Sequence, residues 1–228
     1  MTKPLMLHEE VLLLALRDGS GKFSSGMYLY SVAGAMVSEL MLLERINCLD
    51  DKHRTVAIIS DKTTGCELLD ELLIQIKTSK KDRGLQHWIS VAAGIKDLNH
   101  RLAEKLCALG ILQQDERKVF FIFTQWVYPE LDGTWEDSIR HRMAEVMFHP
   151  EVKVGTRTGA LIAMAYHADL LKVNFAPDQL RQHQARIKAL ASGEHLASDA
   201  TKAAIQAIQA ATVVATMLPM IAATSSTS

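Results

Sequence analysis

Nine histidines, three cysteines and a "GSGK" stretch give this 228-residue chain the residue types for metal, thiol or phosphate chemistry. Their spacing denies most of it. His141 and His149 lie eight residues apart and His183 stands alone. No H-E-x-x-H motif or i, i+4 histidine pair occurs, so no single helix face presents two imidazoles to a zinc ion. Cys48, Cys66 and Cys107 form no C-x-x-C pattern, which argues against both a disulfide framework and a zinc site and fits a reducing compartment. For a phosphate loop, "GSGK" would need glycine where Leu16 stands, and Ser or Thr where Phe23 follows Lys22. Asp70 and Glu71 are adjacent, so on a helix they diverge and cannot share general acid/base work. His167, among the apolar residues of "MAYHADLL", reads as a core or helix-face histidine. No G-x-S-x-G elbow is present. The expectation is therefore no catalytic residue, no metal and no cofactor; a hydrolase would have only scattered His and Asp behind it.

One stretch remains conspicuous. In "RKVFFIFTQWVYPEL", five aromatics (Phe120, Phe121, Phe123, Trp126 and Tyr128) fall within nine residues of a chain that is only 6% aromatic. Read as a strand, it points Val119, Phe121 and Phe123 to one side and Phe120, Ile122 and Thr124 to the other. Both faces are oily, so one can pack on the domain while the other seeks lipid or a second chain. Trp126 and Tyr128 suit an interface between media of different polarity.

The elements that must position this ribbon are mostly helical. "LMLHEEVLLLALR" reads as a helix with Leu7, Val11, Leu14 and Ala15 at apolar positions, ended by the glycines and serines of "RDGSGKFSSG". "MYLYSVAGAMVSELMLLERI" is the most continuously apolar internal run, a core helix with Ala33, Gly34 and Ala35 allowing close approach and Glu39 and Glu44 at solvated or polar ends. "INC" and "TVAIIS" read as strands about a charged turn, followed by a helix from about Cys66 to Ile76 and a solvated connector, "KTSKKDRG". Gly94 divides the next helical stretch, whose second half carries a stripe of Ile95, Leu98, Leu102, Leu106 and Leu109 before Gly110 ends it. "ILQQDERKVFFIFTQWVYPEL" reads as strand, polar turn, strand. Thr134 is placed at the cap of the following helix, with Asp137 three residues on. Two further helices and an apolar C-terminal run follow. Gln206, Gln209 and Pro219 make that run a buried or partly buried terminal helix in preference to a membrane span. At the other end, His8, Glu9 and Glu10 interrupt the first apolar run, so a secretory signal is not expected.

The expected fold is mainly α: a single compact helical domain over 1–223 with a buried helical centre, surrounding amphipathic helices and two small β-hairpins, then a disordered tail over 224–228. Helix followed by hairpin occurs twice, a rhythm shared with winged-helix nucleic-acid or protein-interaction modules, which stand as the alternative. The charge balance opposes nucleic acid: 25 basic and 26 acidic residues give a formal charge of −1 and a pI of about 6.8.

Taken in order, "EEVLLLALRDGSGKF", "SELMLLERI", "SDKTTGCELLDELL", "RLAEKLCALGIL" and "ALIAMAYHADLLKVNFAP" resemble the Golgi phosphoprotein 3 family from about Leu5 to Pro177, with a looser helical continuation to about Ala215. The resemblance implies a non-enzymatic, cytoplasmic, peripheral membrane adaptor that recognises phosphatidylinositol 4-phosphate and whose aromatic hairpin contacts membrane or a neighbouring subunit. The implied partners are an anionic phospholipid membrane surface and, through the hairpin, a second copy of the chain (a homo-oligomer), with no nucleic acid. The hairpin contact would fall on Phe120, Phe121, Ile122, Phe123 and Trp126. The disordered N-terminal arm of the eukaryotic members has no counterpart before Leu5, as expected of a bacterial relative.

The implied headgroup pocket is where this chain departs. The family uses a tryptophan in the loop after the first helix, an arginine early in the next helix and two arginines three residues apart before the hairpin. The corresponding places here hold Phe23 beside Lys22, Ala33, and Lys96 with Asn99, followed by His100 and Arg101. Lysine is a point charge and asparagine a neutral amide, so the bidentate forks that hold phosphate are lost. Headgroup specificity is expected to be weak, leaving Lys22, Lys96, His100 and Arg101 as a basic rim for anionic lipid. In an electrophoretic shift assay with duplex DNA no complex is expected; one that weakens steeply between about 50 and 200 mM salt would restore the winged-helix alternative.

Overall fold

Every residue of the first helix, α1 (Leu7–Ala15), is buried, including His8, Glu9 and Glu10. A helix greasy all round belongs in the middle of a domain, and the chain surrounds it. The computed structural model describes residues 4–16, 28–49, 51–119 and 123–193, with backbone only for 117–119 and 123–125. The apolar C-terminal run and the tail expected over 224–228 lie outside the described residues.

Against α1 packs α2 (Tyr28–Leu42), with Ala33, Gly34 and Ala35 of its small-residue run buried. The short antiparallel pair β1 (Ile46–Cys48) and β2 (Val56–Ile58) follows, in register Ile46 with Ile58. Next come α3 (Glu67–Thr78), α4 (Leu85–Ala93) and α5 (Leu98–Ala108). The second pair is β3 (Asp115–Val119) with β4 (Phe123–Val127). The helices α6 (Thr134–Phe148), α7 (Thr156–His167), α8 (Leu171–Asn174), α9 (Pro177–Gln182) and α10 (Gln184–Ser192) close the described chain. Helices α5, α6 and α7 also touch α1, so the buried centre is one helix ringed by others. The fold is mainly α, with the two hairpins as separate two-stranded sheets among the described residues.

Glu39 is not solvated, as its charge suggested, but 1% exposed. Its carboxylate accepts the Leu7 backbone N–H at 2.7 Å and both guanidinium arms of Arg157, each at 2.9 Å. The start of α1 thus finds an acceptor-rich anion for one of its orphan donors. Glu9 accepts the Met6 N–H at 2.7 Å and pairs with Lys105 of α5 at 2.5 Å, while Glu10 pairs with Arg142 of α6 at 2.8 Å. Removing one partner from such a buried pair costs about 3–5 kcal/mol, because the other charge is left without compensation.

Two smaller boundaries also differ from the sequence reading. Thr134 opens α6, and Gly133 occupies the cap position, because the Thr134 hydroxyl donates to Asp132 at 2.6 Å instead of capping. Leu109 ends the predicted apolar stripe at 54% exposed; the helix has stopped, and Gly110 turns the chain at φ +73°.

His8 is wholly buried, and that burial pulls its imidazole down from 6.5 to about 3 against the raising field of Glu39. Between those values the unfolded chain binds a proton that the folded one refuses. The stabilisation is therefore complete above about 6.5 and is lost as pH falls toward 3. Urea melts of wild type against His8→Gln should show a difference in slope of up to about 1.4 kcal/mol per pH unit below pH 6.5, the wild type losing stability faster. Parallel curves would mean that His8 is protonated in the fold.

Candidate functional site

The described site candidates Lys96, Asn99, His100 and Arg101 lie at the start of α5, and Trp126 lies on the hairpin beside it. Chain direction changes at Gly94–Asp97, with Asp97 in the left-handed region at φ +53°, and α5 then climbs away. Lys96 lies exposed in this turn and makes no ion pair with a described residue.

The next three candidates are all engaged inside the molecule. Asn99 donates its side-chain amide to the hydroxyl of Tyr28 at 2.6 Å. Tyr28 is the first residue of α2, and burial pushes its phenol up to about 12. Asn99 is thereby brought to the end of the loop that carries Lys22 and Phe23, which themselves lie outside the described residues. His100 takes the Tyr128 hydroxyl on Nδ1 and reaches Glu104 from Nε2 at 3.2 Å. Both ring nitrogens are thereby engaged. Tyr128 is 3% exposed, its phenol pushed up to about 12 by burial and the Glu104 carboxylate. Arg101 extends its fork to α3, one arm to Glu71 at 2.8 Å and the other to Glu67 at 2.7 Å. These carboxylates raise its already high pKa.

The hairpin is shifted from the predicted strand–turn–strand. Its register pairs Val119 with Phe123 and Asp115 with Val127, so the polar "DERKV" is a strand and the chain reverses within the aromatic run. Of the stretch expected as one strand, Val119 ends β3 and Phe123 begins β4. The base explains the shift: Leu112 bridges Glu130 and Gln113 donates to the Pro129 carbonyl at 2.9 Å, which starts the ladder with Ile111 and Leu112 buried. A two-stranded ribbon is only partly covered, and Asp115 and Glu116, on opposite faces of β3, are both exposed. On β4, Trp126 is 46% exposed, whereas Val127 and Tyr128 are buried. The Trp126 ring lies over His100, centroids 6.0 Å apart and planes tilted 30°. Phe120, Phe121 and Ile122 lie outside the described residues, and Phe123 is described by its backbone alone.

A Golgi phosphoprotein 3 (GPP34) sequence profile matches residues 7–208. The chain belongs to that family. Vacuolar protein sorting-associated protein 74 of Schizosaccharomyces pombe is similar at 29% identity over 202 residues, covering 74% of this chain and 59% of that protein. Its namesake from Eremothecium gossypii is also 29% identical over 202 residues, covering 74% of this chain and 60% of its own length. The chain thus spans less than two thirds of these relatives. Membership in this Golgi-associated adaptor family displaces the winged-helix alternative. No helix among the described residues is long and apolar enough to cross a membrane, and no group of three metal-ligating side chains occurs among them. Asp70 and Glu71 diverge on α3 as adjacent helical residues do: Asp70 accepts from the backbone N–H and hydroxyl of Thr64 at 2.7 and 2.8 Å, while Glu71 holds Arg101.

Sequence reasoning missed the tethers. His100 is the joint between α5 and β4, and its spacing to Tyr128 carries no motif. By urea unfolding, Tyr128→Phe should cost about 1–2 kcal/mol, because a buried hydroxyl leaves His100 without its partner. Arg101→Gln, which touches half-exposed carboxylates, should cost no more than about 1 kcal/mol. The reverse order would make Arg101 the structural anchor and His100 dispensable.

Proposed function

We propose that this chain is a non-enzymatic peripheral adaptor that meets an anionic phospholipid surface with its β3–β4 hairpin and the Lys96 corner of α5. The observation that carries the reading is Trp126, an indole standing 46% exposed on a strand whose next two residues are buried. The hairpin is thereby anchored at its base and offers the Trp126 ring outward. Indole rings favour the boundary between water and lipid, and burying one contributes about 25 cal/mol per Å² of apolar area covered. Lys96, four residues ahead of the His100 ring that Trp126 covers, adds a cation with no protein partner among the described residues. Attraction to an anionic leaflet contributes about 1 kcal/mol per such lysine.

Specific recognition of phosphatidylinositol 4-phosphate is weak on this reading. Ala33, at the place of the family's early arginine, is fully buried in α2 and reaches no ligand. Asn99 is bound to Tyr28, and Arg101 to its two glutamates. Two lost charge-assisted contacts of about 1.5–3 kcal/mol each lower headgroup affinity by roughly two to four powers of ten. The relatives' name ties them to vacuolar protein sorting, and an adaptor on a membrane surface is compatible with that task.

Flotation with phosphatidylcholine vesicles tests both halves. Adding phosphatidylserine should recover the protein, and an equal charge of phosphatidylinositol 4-phosphate should do no better. Trp126→Ser and Lys96→Gln should each reduce recovery several-fold with unchanged helical circular dichroism. Strong recovery that depends on the 4-phosphate would refute the loss of specificity. An unchanged Trp126→Ser that instead alters the mass in solution would make the ribbon a contact between copies of the chain.

A further inference from the structure

Away from the hairpin, two charged turns that are far apart in sequence enclose an open cleft of about 760 Å³. One turn carries Lys52, His53 and Arg54, the other Arg83, and the first turn of α4 adds Gln86 and His87. Three fixed cations face a single carboxylate, Asp82, among the lining residues. None of Lys52, Arg54 and Arg83 makes an ion pair with a described residue. Arg101, Arg140, Arg142, Arg157 and Arg181 each pair with a carboxylate, which the two arginines of this cleft do not.

The cleft is held by backbone rather than by chance side-chain positions. Thr55 bridges Gly84, the Val56 N–H donates to the Arg83 carbonyl at 3.0 Å, and the Leu85 N–H donates to the Arg54 carbonyl at 3.1 Å. The two turns press so closely that a Cβ on Gly84 would fall 2.2 Å from the His53 carbonyl oxygen. Only glycine permits that approach. No side chain caps α4, so its positive end opens into the same space.

A second cavity of about 320 Å³ adjoins the first, sharing Thr55, Asp82 and Arg83 and adding Lys81 and Trp88. Trp88 is 4% exposed, yet its indole N–H has no acceptor in the structure. A buried donor without a partner is costly, and a small shift of the ring would let it meet an oxyanion in this cavity.

We propose that the cleft between residues 52–55 and 82–87 binds a phosphate-bearing anion, with Lys52, Arg54 and Arg83 neutralising the charge and Trp88 lining the adjoining lobe. The site is separate from the hairpin and from the Lys96 corner, and stands whether or not these meet lipid. The same chemistry is offered by a soluble phosphate ester or by a phospholipid headgroup, and two measurements separate them.

In the first, isotopically labelled protein is titrated with sodium pyrophosphate while amide and indole signals are followed, against sodium chloride at matched ionic strength. Saturable shifts at residues 52–55 and 83–87 and at the Trp88 indole N–H are expected from pyrophosphate and not from chloride. The double variant Arg54→Asn, Arg83→Gln should bind at least tenfold more weakly; asparagine tolerates the left-handed backbone of Arg54, φ +48°. In the second, phosphatidylcholine vesicles carrying phosphatidic acid, or an equal charge of phosphatidylserine, are floated with wild type and the double variant. A preference for phosphatidic acid that the double variant loses assigns a lipid phosphate; saturable pyrophosphate shifts with the same flotation of both proteins assign a soluble one. Equal response to chloride, shifts spread over every surface lysine, or undiminished pyrophosphate binding by the double variant would overturn the site.

Discussion

Glu9, Glu10 and Glu39 sit almost without solvent at one end of the central helix pair, and the rest of the structure is arranged so that each has a cation. Lys105 comes from α5, Arg142 from α6 and Arg157 from α7. A buried carboxylate without a counter-charge is prohibitive, so those three helices must lie where their side chains reach. Apolar packing alone is non-directional, and α1, greasy on all sides, could be turned about its axis at little cost in buried area. The ion pairs single out one rotation and one placement of its neighbours. Burial pushes the Glu10 carboxyl up while Arg142 pulls it down, so desolvation and pairing contend at this position, and desolvation prevails.

The same constraint governs the candidate membrane face. Helix α5 is pinned from within by Lys105, which also lies 3.6 Å from the Cys66 thiol. Its remaining faces are then free to hold other elements: Asn99 reaches α2, His100 reaches β4 and Arg101 reaches α3. Helix α5 therefore joins the buried centre to the hairpin. It can do so only because its polar groups point to protein partners, which leaves adhesion to Lys96 and Trp126 beside it. With a formal charge of −1 over the whole chain, no long-range field assists, and contact with an anionic surface has to be local.

Where the sequence was legible, the reason is periodicity. The apolar stripe of Leu98, Leu102 and Leu106, the break at Gly94 and the turn at Gly110 all rest on interactions within a few residues, and each is present. The family order of motifs was legible too, and with it the mainly α fold. Glu39 was misread because its partner Arg157 is 118 residues away; without that partner a glutamate on a helix belongs in water. Glu10 and Arg142, 132 residues apart, carry the same lesson. The hairpin was displaced because "QQDERK" has the composition of a turn, and a solvent-facing strand can have it too; only the pairing of Gln113 with Pro129 decides. The basic cleft stayed hidden for a related reason. Each of its cations reads singly as a solvated charge, and the backbone bridge between Thr55 and Gly84 is what makes them one place.

Recognition and folding are therefore separable at the residues in question. Lys96 touches no described partner and Asn99 has a satisfied amide donor in Tyr28, so neither position needs an arginine for α5 to stand where it does. Ala33 differs: it is fully buried within a run of small residues of α2, and a guanidinium there would have to displace core packing or leave a charge uncompensated. Arginines at Lys96 and Asn99 would be compatible with this core, whereas one at Ala33 would not, because the packing of α2 limits what that position can hold.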